Sequence, residues 1–297
     1  MLLLFICFLE DYVENSEILK ALKKEKGIPW VAGNNERFHG LSFQDARILS
    51  GPTSDIDKLR PETIPLSPSP SSTFTIPGSY NFSEKYPKCD FGPMDQGKCG
   101  SCWAFSVAKS FSHRYCQKYG HLSIFSPAHL VGCDRRNAGC QGGTLIPAWR
   151  YIDLKGIPLE TCQPYEINST SFNCSRRKCF NETTPFEAKK SVFWSAKRFD
   201  SIPAMQYSII TDGPITTSMK VFADFMYYKS GIYTHLKGDN VGLHAVEIIG
   251  WGEKDKTPYW IVSNSWGTNW GMNGSFLIKR GVNECGIEDY VVAGEVI

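Results

Sequence analysis

The sequence predicts an α+β fold with two lobes, a helical lobe followed by a lobe rich in β-strands. Apolar residues recur at helical spacing over residues 103–119, which predicts one long helix that begins near Cys102. Beyond about residue 190 the pattern changes to period two, and strands are expected around Val246, Ile248 and residues 259–262. With 297 residues, the chain is long enough to divide a large core between two lobes.

Composition narrows the class of protein. Lys and Arg number 32 against 30 Asp and Glu, and a formal charge of +2 provides no broad basic field for a nucleic-acid backbone, so nucleic acid is not expected as a partner. Eleven cysteines are many for a reducing cytosol, and five Asn-x-Ser/Thr sequons agree with an oxidising, secretory route. The sequons are at Asn81, Asn168, Asn173, Asn181 and Asn273.

The first residues resemble a targeting segment. Residues 2–9 form an apolar run of the length of a signal-peptide core, so residues 1–15 are interpreted as a signal peptide. The alternative is an ordinary buried N-terminal segment. This run is too short for a bilayer, which needs about 20 helical residues, and no other segment is expected to span a membrane.

A separable segment follows. Residues 17–27 are charged and have a helical pattern, and residues 63–73 form a Pro/Ser-rich tract. Because prolines lack N–H donors, this tract cannot form a regular helix or a central strand, and we expect an exposed, cleavable linker. A plain interdomain linker is the alternative. Residues 16–75 are therefore treated as one segment and residues 76–297 as the main domain.

One cysteine stands at a position that favours chemistry. Cys102 follows two small residues at the start of the predicted long helix. The unpaired N–H groups and the positive end of the helix dipole stabilise a thiolate there, so Cys102 is expected to be nucleophilic. Because the number of cysteines is odd, disulfide pairing leaves at least one thiol free.

A base and its orienting partner are predicted from a hairpin. His244 lies at the mouth of the two predicted strands, which are separated by a polar loop at residues 253–258. His244 and Asn264 are equally distant from residue 254, so antiparallel pairing is expected to place them side by side. The amide can then fix the imidazole tautomer. Taken singly, each of these residues is more often structural.

Together these residues carry a family resemblance. The stretch Gln96-Gly-Lys-Cys-Gly-Ser-Cys-Trp-Ala-Phe105, with Cys140-Gln-Gly-Gly143, His244-Ala245 and Asn264-Ser-Trp266, resembles papain-like cysteine proteases. In that family the partner residues follow the nucleophile by about 130 to 150 residues. Here the intervals are 142 and 162 residues, and the hairpin loop absorbs the longer one.

Other stretches are similar to the cathepsin B branch of the family, over about residues 76–297. Examples are Asp224-Phe-Met-Tyr-Tyr-Lys-Ser-Gly231 and Cys285-Gly-Ile-Glu-Asp-Tyr-Val-Val-Ala-Gly294. Upstream, Trp30-Val-Ala-Gly-Asn34 is similar to the short cathepsin B propeptide. The resemblance implies a papain-like fold in which a cleft separates the helical lobe, with its central helix at the nucleophile, from a β-barrel-like lobe. It also implies a zymogen, with residues 16–75 as the inhibitory propeptide.

The resemblance assigns a role to each matching residue. It makes Cys102 the nucleophile, His244 the base and then the acid, and Asn264 the orienting residue. It places the oxyanion hole at the Gln96 amide and the Cys102 N–H, where a donor is worth about 3 kcal/mol. The substrate-binding residues that it implies are Gly142, Gly143, Ala245, Trp266 and Tyr290. A core tryptophan at Trp266, and a tight turn at the two glycines, are the structural alternatives.

Two departures from cathepsin B concern specificity. The occluding loop, whose histidines hold a substrate carboxylate in those enzymes, is expected after Cys162, yet only eleven residues separate Cys162 from Cys174 and no histidine occurs between His129 and His235. An endopeptidase is therefore favoured over a carboxydipeptidase. The glutamate of the S2 pocket is replaced by Tyr290, which predicts small or branched apolar P2 residues unless Asp289 turns inward.

The resemblance also assigns the cysteines. It leaves Cys102 and Cys285 free, with Cys285 buried and inert, and it places Cys7 in the signal peptide. The disulfides that it implies are Cys89–Cys116, Cys99–Cys140, Cys133–Cys174 and Cys162–Cys179.

The sequence disfavours two alternative functions. A catalytically inactive homologue that acts as a binding module is disfavoured because such proteins lose the nucleophile, whereas Cys102 is present. A cysteine-rich metal protein is disfavoured because no Cys-x-x-Cys pair occurs beyond Cys99 and Cys102. The sequence thus predicts a monomeric enzyme without metal or cofactor, in a lysosome-like or vacuolar compartment or outside the cell. Its expected partners are protein and peptide substrates, its own propeptide and cystatin-like inhibitors.

Overall fold

The structure is a computed structural model that describes residues 13, 16–50, 65–67, 69–71, 73–166, 174, 178–181 and 183–297. Apart from Val13, the predicted signal peptide lies outside the described residues. Within them, helices and strands segregate into the two lobes that the sequence predicts. No helix in this part of the chain is both long enough and apolar enough to cross a bilayer.

The helical lobe is built around one long helix. We label as α4 the helix Cys102–Tyr119, which begins at the predicted residue and ends at Gly120, whose φ of 74° supplies the left-handed cap. The helix is buried along most of its length. It packs against α5 (Pro127–Cys133) and α6 (Leu145–Lys155). Disulfides join Cys89 to Cys116, Cys99 to Cys140, Cys133 to Cys174 and Cys162 to Cys179.

The β lobe is a mixed sheet with the order β1-β7-β10-β9-β8-β6-β11-β5, in which β1 is Trp30–Ala32. A short strand, β2 (Tyr80–Asn81), also pairs with β8. Its strands beyond residue 190 are β5 (Lys197–Phe199), β6 (Ile215–Phe222), β7 (Tyr228–Tyr233), β8 (Asn240–Lys254), β9 (Thr257–Ser263), β10 (Ser275–Lys279) and β11 (Tyr290–Ala293). Strands β10 and β7 are parallel, whereas the other pairs are antiparallel. The sheet packs against α4 mainly through β8.

The predicted hairpin is β8–β9, with two differences. Its turn is only Asp255 and Lys256, both with positive φ, rather than a loop over residues 253–258. The register pairs Glu247 with Ser263, so His244 and Asn264 are not direct cross-strand partners as the symmetry argument predicted. Because the turn lies beyond residue 254, the pairing is displaced, and the register shift between Ile248 and Gly250 recovers only one residue of this displacement, so the side chains meet diagonally.

The β lobe contains a helix that the sequence analysis did not predict. Helix α7 (Ile202–Thr211) is capped by the Ser201 side chain and has proline near its start. The shorter elements are α3 (Phe82–Lys85), β2 (Tyr80–Asn81), β3 (Ile157–Pro158) and β4 (Ala188–Lys189).

Residues 16–50, here called the prosegment, lie against both lobes. They form α1 (Glu17–Lys24), β1 (Trp30–Ala32), α2 (Phe43–Arg47) and the 3-10 helices Glu36–Phe38 and Ile48–Ser50. Strand β1 adds to the sheet by antiparallel pairing with β7. In the Pro/Ser tract, the backbones of Pro65 and Ser67 hydrogen-bond to Arg198, so this part of the predicted linker is attached to the β lobe.

Candidate active site

The start of α4 places Cys102 at the junction of the two lobes. The cysteine is a free thiol and is 4% exposed. The chain enters the helix through Gly100, where a Cβ atom would lie 2.5 Å from the Cys140 carbonyl oxygen. Only glycine fits there, so the close approach of the two backbones, next to the Cys99–Cys140 disulfide, fixes the turn that presents Cys102.

His244 and Asn264 meet in the opposite lobe. The His244 Nε2 and Asn264 Oδ1 atoms are 2.7 Å apart, and the Asn264 oxygen also accepts the Ser265 N–H at 2.7 Å. The Trp266 ring lies over His244 with centroids 4.7 Å apart, and all three side chains are buried. With Nε2 held in this way, Nδ1 is the ring nitrogen that remains to exchange a proton with a thiol.

Gln96 is fixed by contacts that the sequence did not predict. Its Oε1 atom accepts from the Ser265 hydroxyl at 2.7 Å, and its backbone N–H donates to the Ser265 carbonyl at 2.9 Å. Its Nε2 atom donates to the Cys99 carbonyl at 2.8 Å. Because Ser265 follows Asn264 directly, one turn of the β lobe orients both the imidazole partner and the predicted oxyanion donor.

Comparison with known proteins agrees with this arrangement. The sequence model described as "Papain family cysteine protease" matches residues 77–295, a span that contains every residue of the site. The chain belongs to the papain family of cysteine proteases.

Individual relatives place this protease near cathepsin B. It is 37% identical over 273 residues to Cathepsin B-like CP3 of Giardia intestinalis, with 89% of each chain covered. It is 33% identical to Cathepsin B-like cysteine proteinase 6 of Caenorhabditis elegans, covering 96% of this chain and 81% of that one. The structure is similar to proCathepsin B S9 from Trypanosoma congolense, with a TM-score of 0.87, 31% identity, and 96% and 99% of the two chains covered.

The prosegment of this protease reaches the site itself. The Gln96 Nε2 atom donates a second hydrogen bond, of 3.2 Å, to the carbonyl oxygen of Leu49. Leu49 is buried and lies in the 3-10 helix Ile48–Ser50. The Ile48 carbonyl oxygen also approaches Gly100, at 3.1 Å from where a Cβ atom would stand. The Leu49 carbonyl thus accepts a hydrogen bond from the Gln96 amide, the group predicted to donate to the oxyanion.

Burial controls the ionisation of the two groups. Burial raises the pKa of the Cys102 thiol to about 11, although hydrogen bonds from the Ala245, Trp103 and Cys102 backbones oppose the rise. Burial lowers the pKa of His244 to about 4, against hydrogen bonds to Asn264 and the Leu49 backbone. The helix terminus therefore acts on the sulfur as expected, but desolvation is larger. Thiol and imidazole are both neutral between these pH values.

The other predicted substrate-binding residues include Gly142 and Gly143, between α5 and α6, and Tyr290 in the β lobe. Gly142 has a φ of 115°, and a Cβ atom on Gly143 would lie 2.7 Å from the Trp103 ring, so both glycines are required by the backbone. Tyr290 is buried in β11, and the Ile146 backbone hydrogen-bonds to its hydroxyl. The second free cysteine, Cys285, is buried far along the chain.

Proposed function

We propose that the chain is the proenzyme of a cysteine endopeptidase, in which Cys102 attacks the peptide carbonyl and His244 transfers the proton. The Cys102 thiolate adds to the carbonyl carbon, and the oxyanion accepts from Gln96 Nε2 and the Cys102 N–H. Collapse of this intermediate breaks the C–N bond as His244 protonates the leaving amine. Water, deprotonated by His244, then hydrolyses the acyl-enzyme. Asn264 keeps the imidazole in the required tautomer throughout.

The observation that supports this proposal best is the Leu49 carbonyl at Gln96 Nε2. A buried amide donor aimed at a foreign backbone carbonyl, beside a cysteine at a helix N-terminus, is what acyl transfer requires. The same contact makes the prosegment the inhibitor, because the donor and the nucleophile are covered until it leaves. Residues 16–75 are then the propeptide, and removal of them restores access to both groups.

The test uses recombinant full-length protein and the product of its processing. We expect the processed form to cleave an unfolded protein and to take up one equivalent of an epoxide thiol inhibitor at Cys102. The isosteric variant Cys102→Ser should do neither, while Cys285→Ser should retain both properties. A processed wild-type protein that neither cleaves nor takes up the inhibitor would refute the proposal.

For the choice between endopeptidase and carboxydipeptidase, the proposal rests on the eleven residues between Cys162 and Cys174 and on the lack of histidine there. Without imidazoles to bind a substrate carboxylate, the primed side of the cleft has no reason to prefer a free C-terminus. Peptides that differ only in a free or amidated C-terminus should be cleaved at similar kcat/KM. A preference for the free carboxylate by more than about tenfold would favour dipeptide removal.

The proposed P2 preference depends on Tyr290. The phenol replaces a carboxylate, so a P2 arginine loses its partner, and the ring occupies space that a small or branched apolar side chain leaves free. The hydrogen bond from the Ile146 backbone supports a fixed ring. Processed enzyme should therefore prefer valine or leucine over arginine at P2. Tyr290→Glu is expected to reverse this order, and equal cleavage of all three peptides would contradict the assignment.

The proposed cellular setting is the secretory route, with a lysosome-like, vacuolar or extracellular destination. Four disulfides agree with an oxidising compartment. Asn168 and Asn173 lie outside the described residues; among the other sequons, Asn181 and Asn273 are exposed, whereas Asn81 is half-buried and its side chain bonds to Ser83 and Glu84. We therefore propose glycosylation at the two exposed sites first. A monomer, regulated by its own propeptide and by cystatin-like inhibitors, completes the proposal.

A further inference from the structure

A buried charged cluster lies behind the catalytic residues, where α4 meets β8 and β9. Lys109 of α4 donates from Nζ to the Gly92 carbonyl at 2.6 Å and to the Ser263 hydroxyl at 2.7 Å. One helical turn later, His113 Nδ1 lies 2.8 Å from Glu247 Oε1. The exposed fractions of Lys109, His113 and Glu247 are only 6%, 1% and 1%. None of these residues belongs to the site described above.

Burial of three ionisable groups is costly unless each is paired. The His113 ring lies between the rings of Phe82 and Phe91, with centroids 4.9 and 4.8 Å away, so water does not reach it from that side. Lys109 and Glu247 attract each other electrostatically. Hydrogen bonds, however, satisfy only one oxygen of the Glu247 carboxylate, because its Oε2 atom has no partner among the described residues.

The missing partner points to a small cavity. Lys109, Glu247, Ser263 and Asn264 line the same cavity, whose free volume of about 10 Å³ matches the room that one water molecule needs. Asn264 also contributes a buried atom without a partner in the described chain, its Nδ2. An unsatisfied donor and an unsatisfied acceptor thus border one water-sized space.

We propose that Glu247, whose charge is paired with Lys109, is a positioning residue for Asn264 and acts through one water molecule in this cavity. The water accepts a hydrogen bond from Asn264 Nδ2 and donates one to Glu247 Oε2. This arrangement holds the amide with Oδ1 towards His244, because in the flipped amide the water would receive no hydrogen bond from Asn264 and the Ser265 N–H would face an NH₂ group. The proposal rests on the roles assigned above to Cys102, His244 and Asn264.

The cluster also acts through its charges. His244 faces Cys102 on α4, Asn264 after β9 and, in the proenzyme, the Leu49 carbonyl. Glu247 faces His113 and Lys109 on α4, and Asp90 adds its charge near Lys109. In the ion pair formed during catalysis, the negative Glu247 stabilises the His244 imidazolium, whereas the positive Lys109 destabilises it. Removal of the Glu247 charge should therefore lower the pH at which activity is lost on the alkaline side, and removal of the Lys109 charge should raise it.

The experiment compares pH profiles of kcat/KM for enzyme processed from the full chain, with active sites counted by epoxide titration. Glu247→Gln should move the alkaline limb to lower pH, and Lys109→Met should move it to higher pH, each by about half a pH unit. Lys118→Met is the control, because Lys118 lies further along the same helix and donates from Nζ to the Val296 carbonyl, away from the cavity. Its limb should stay at the wild-type position.

Limbs of the two cluster variants that stay in place, or that move in the same direction, would overturn the inference. If the variants do not fold, a crystal structure of the wild-type protein decides. An ordered water within hydrogen-bonding distance of both Asn264 Nδ2 and Glu247 Oε2 supports the inference, and a dry cavity overturns it. An inactive wild-type enzyme would instead refute the proposed function, so the two failures are distinguishable.

Discussion

The prosegment contacts the protease in two regions of opposite character. Around Trp30 and Asn35 the prosegment side chains are hydrogen-bonded: Trp30 Nε1 donates to the Thr234 carbonyl at 2.9 Å, and the Asn35 amide bonds to Met226, Tyr228 and Gly271. At the catalytic residues, in contrast, the 3-10 helix Ile48–Ser50 is held by the hydrogen bond from Gln96.

This difference separates affinity from inhibition. The first region, here called the anchor, adds a strand to β7 and buries Trp30, so we expect it to provide more of the binding free energy than the second. The second region buries Leu49 and covers Cys102 and Gln96. A propeptide built in this way can be released by loosening the anchor, without any change at the catalytic residues.

The largest expected effect is that of Gln96→Ala. Loss of the oxyanion donor should lower kcat of the processed enzyme by about 100-fold to 1000-fold. Only the bond to Leu49 involves the prosegment, so the melting temperature of the proenzyme should fall by no more than about 4 °C beyond the fall of the processed enzyme. A much larger excess, measured by calorimetry, would show that the contact at the catalytic residues carries most of the binding free energy.

Asn35→Ala tests the anchor itself. The substitution leaves two buried carbonyls and one N–H without partners, which costs about 3 kcal/mol. The opening of the proenzyme should therefore increase about 100-fold, as measured by the rate at which an epoxide labels Cys102 in the intact chain. Asn34→Ala is the control. The Asn34 side chain is exposed, so its removal should change the labelling rate by less than about twofold. Equal labelling rates for the two variants would show that the Asn35 contacts do not hold the prosegment on the protease.

The third prediction concerns the effect of pH on the stability of the closed proenzyme. The pKa of His244 is lowered to about 4 in the closed state, so opening lets the imidazole regain a higher pKa and bind a proton. The closed state therefore loses stability as pH falls from about 6.5 towards 4, by up to about 1.4 kcal/mol per pH unit. Labelling of Cys102, divided by the rate for processed enzyme at each pH, should rise up to about tenfold per unit. A flat ratio would show that His244 remains neutral on opening.

The smallest effect is expected at the edge of the prosegment. Lys237 and Glu25 form an ion pair of 3.4 Å, and both side chains are largely in solvent. Such pairs contribute about 0 to 1 kcal/mol. Lys237→Ala should change the labelling rate by less than about fivefold, and the change should disappear in 1 M salt. A salt-independent, larger change would extend the anchor to this edge.

The sequence predicts the parts of the molecule that follow from local rules. The helical spacing of apolar residues places the start of α4 near Cys102, and alternation identifies β8 and β9. The contact between His244 and Asn264 was predicted for a partly wrong reason, because the β8–β9 turn lies at residues 255 and 256 rather than at residue 254, so the side chains meet diagonally. The sequence of a polar loop does not show which two of its residues form the turn.

Other features have no local signal. The contact between Leu49 and Gln96 joins residues 47 positions apart, and nothing in either stretch marks the carbonyl that will face the donor. Helix α7 was missed because its apolar residues give no clear face within a segment read as strands. The cavity beside Asn264 depends on α4, β8 and β9 together, so only the assembled lobes disclose it.

The disulfides have a consequence for durability. All four join cysteines between residues 89 and 179, and two of them, Cys133–Cys174 and Cys162–Cys179, close over the stretch between residues 162 and 179. A neighbouring protease that cuts the chain between Cys162 and Cys174 therefore produces two fragments that stay covalently joined. Such a nicked enzyme migrates as one band without reductant and as two bands with it, and it keeps Cys102, His244 and Asn264 in a single particle.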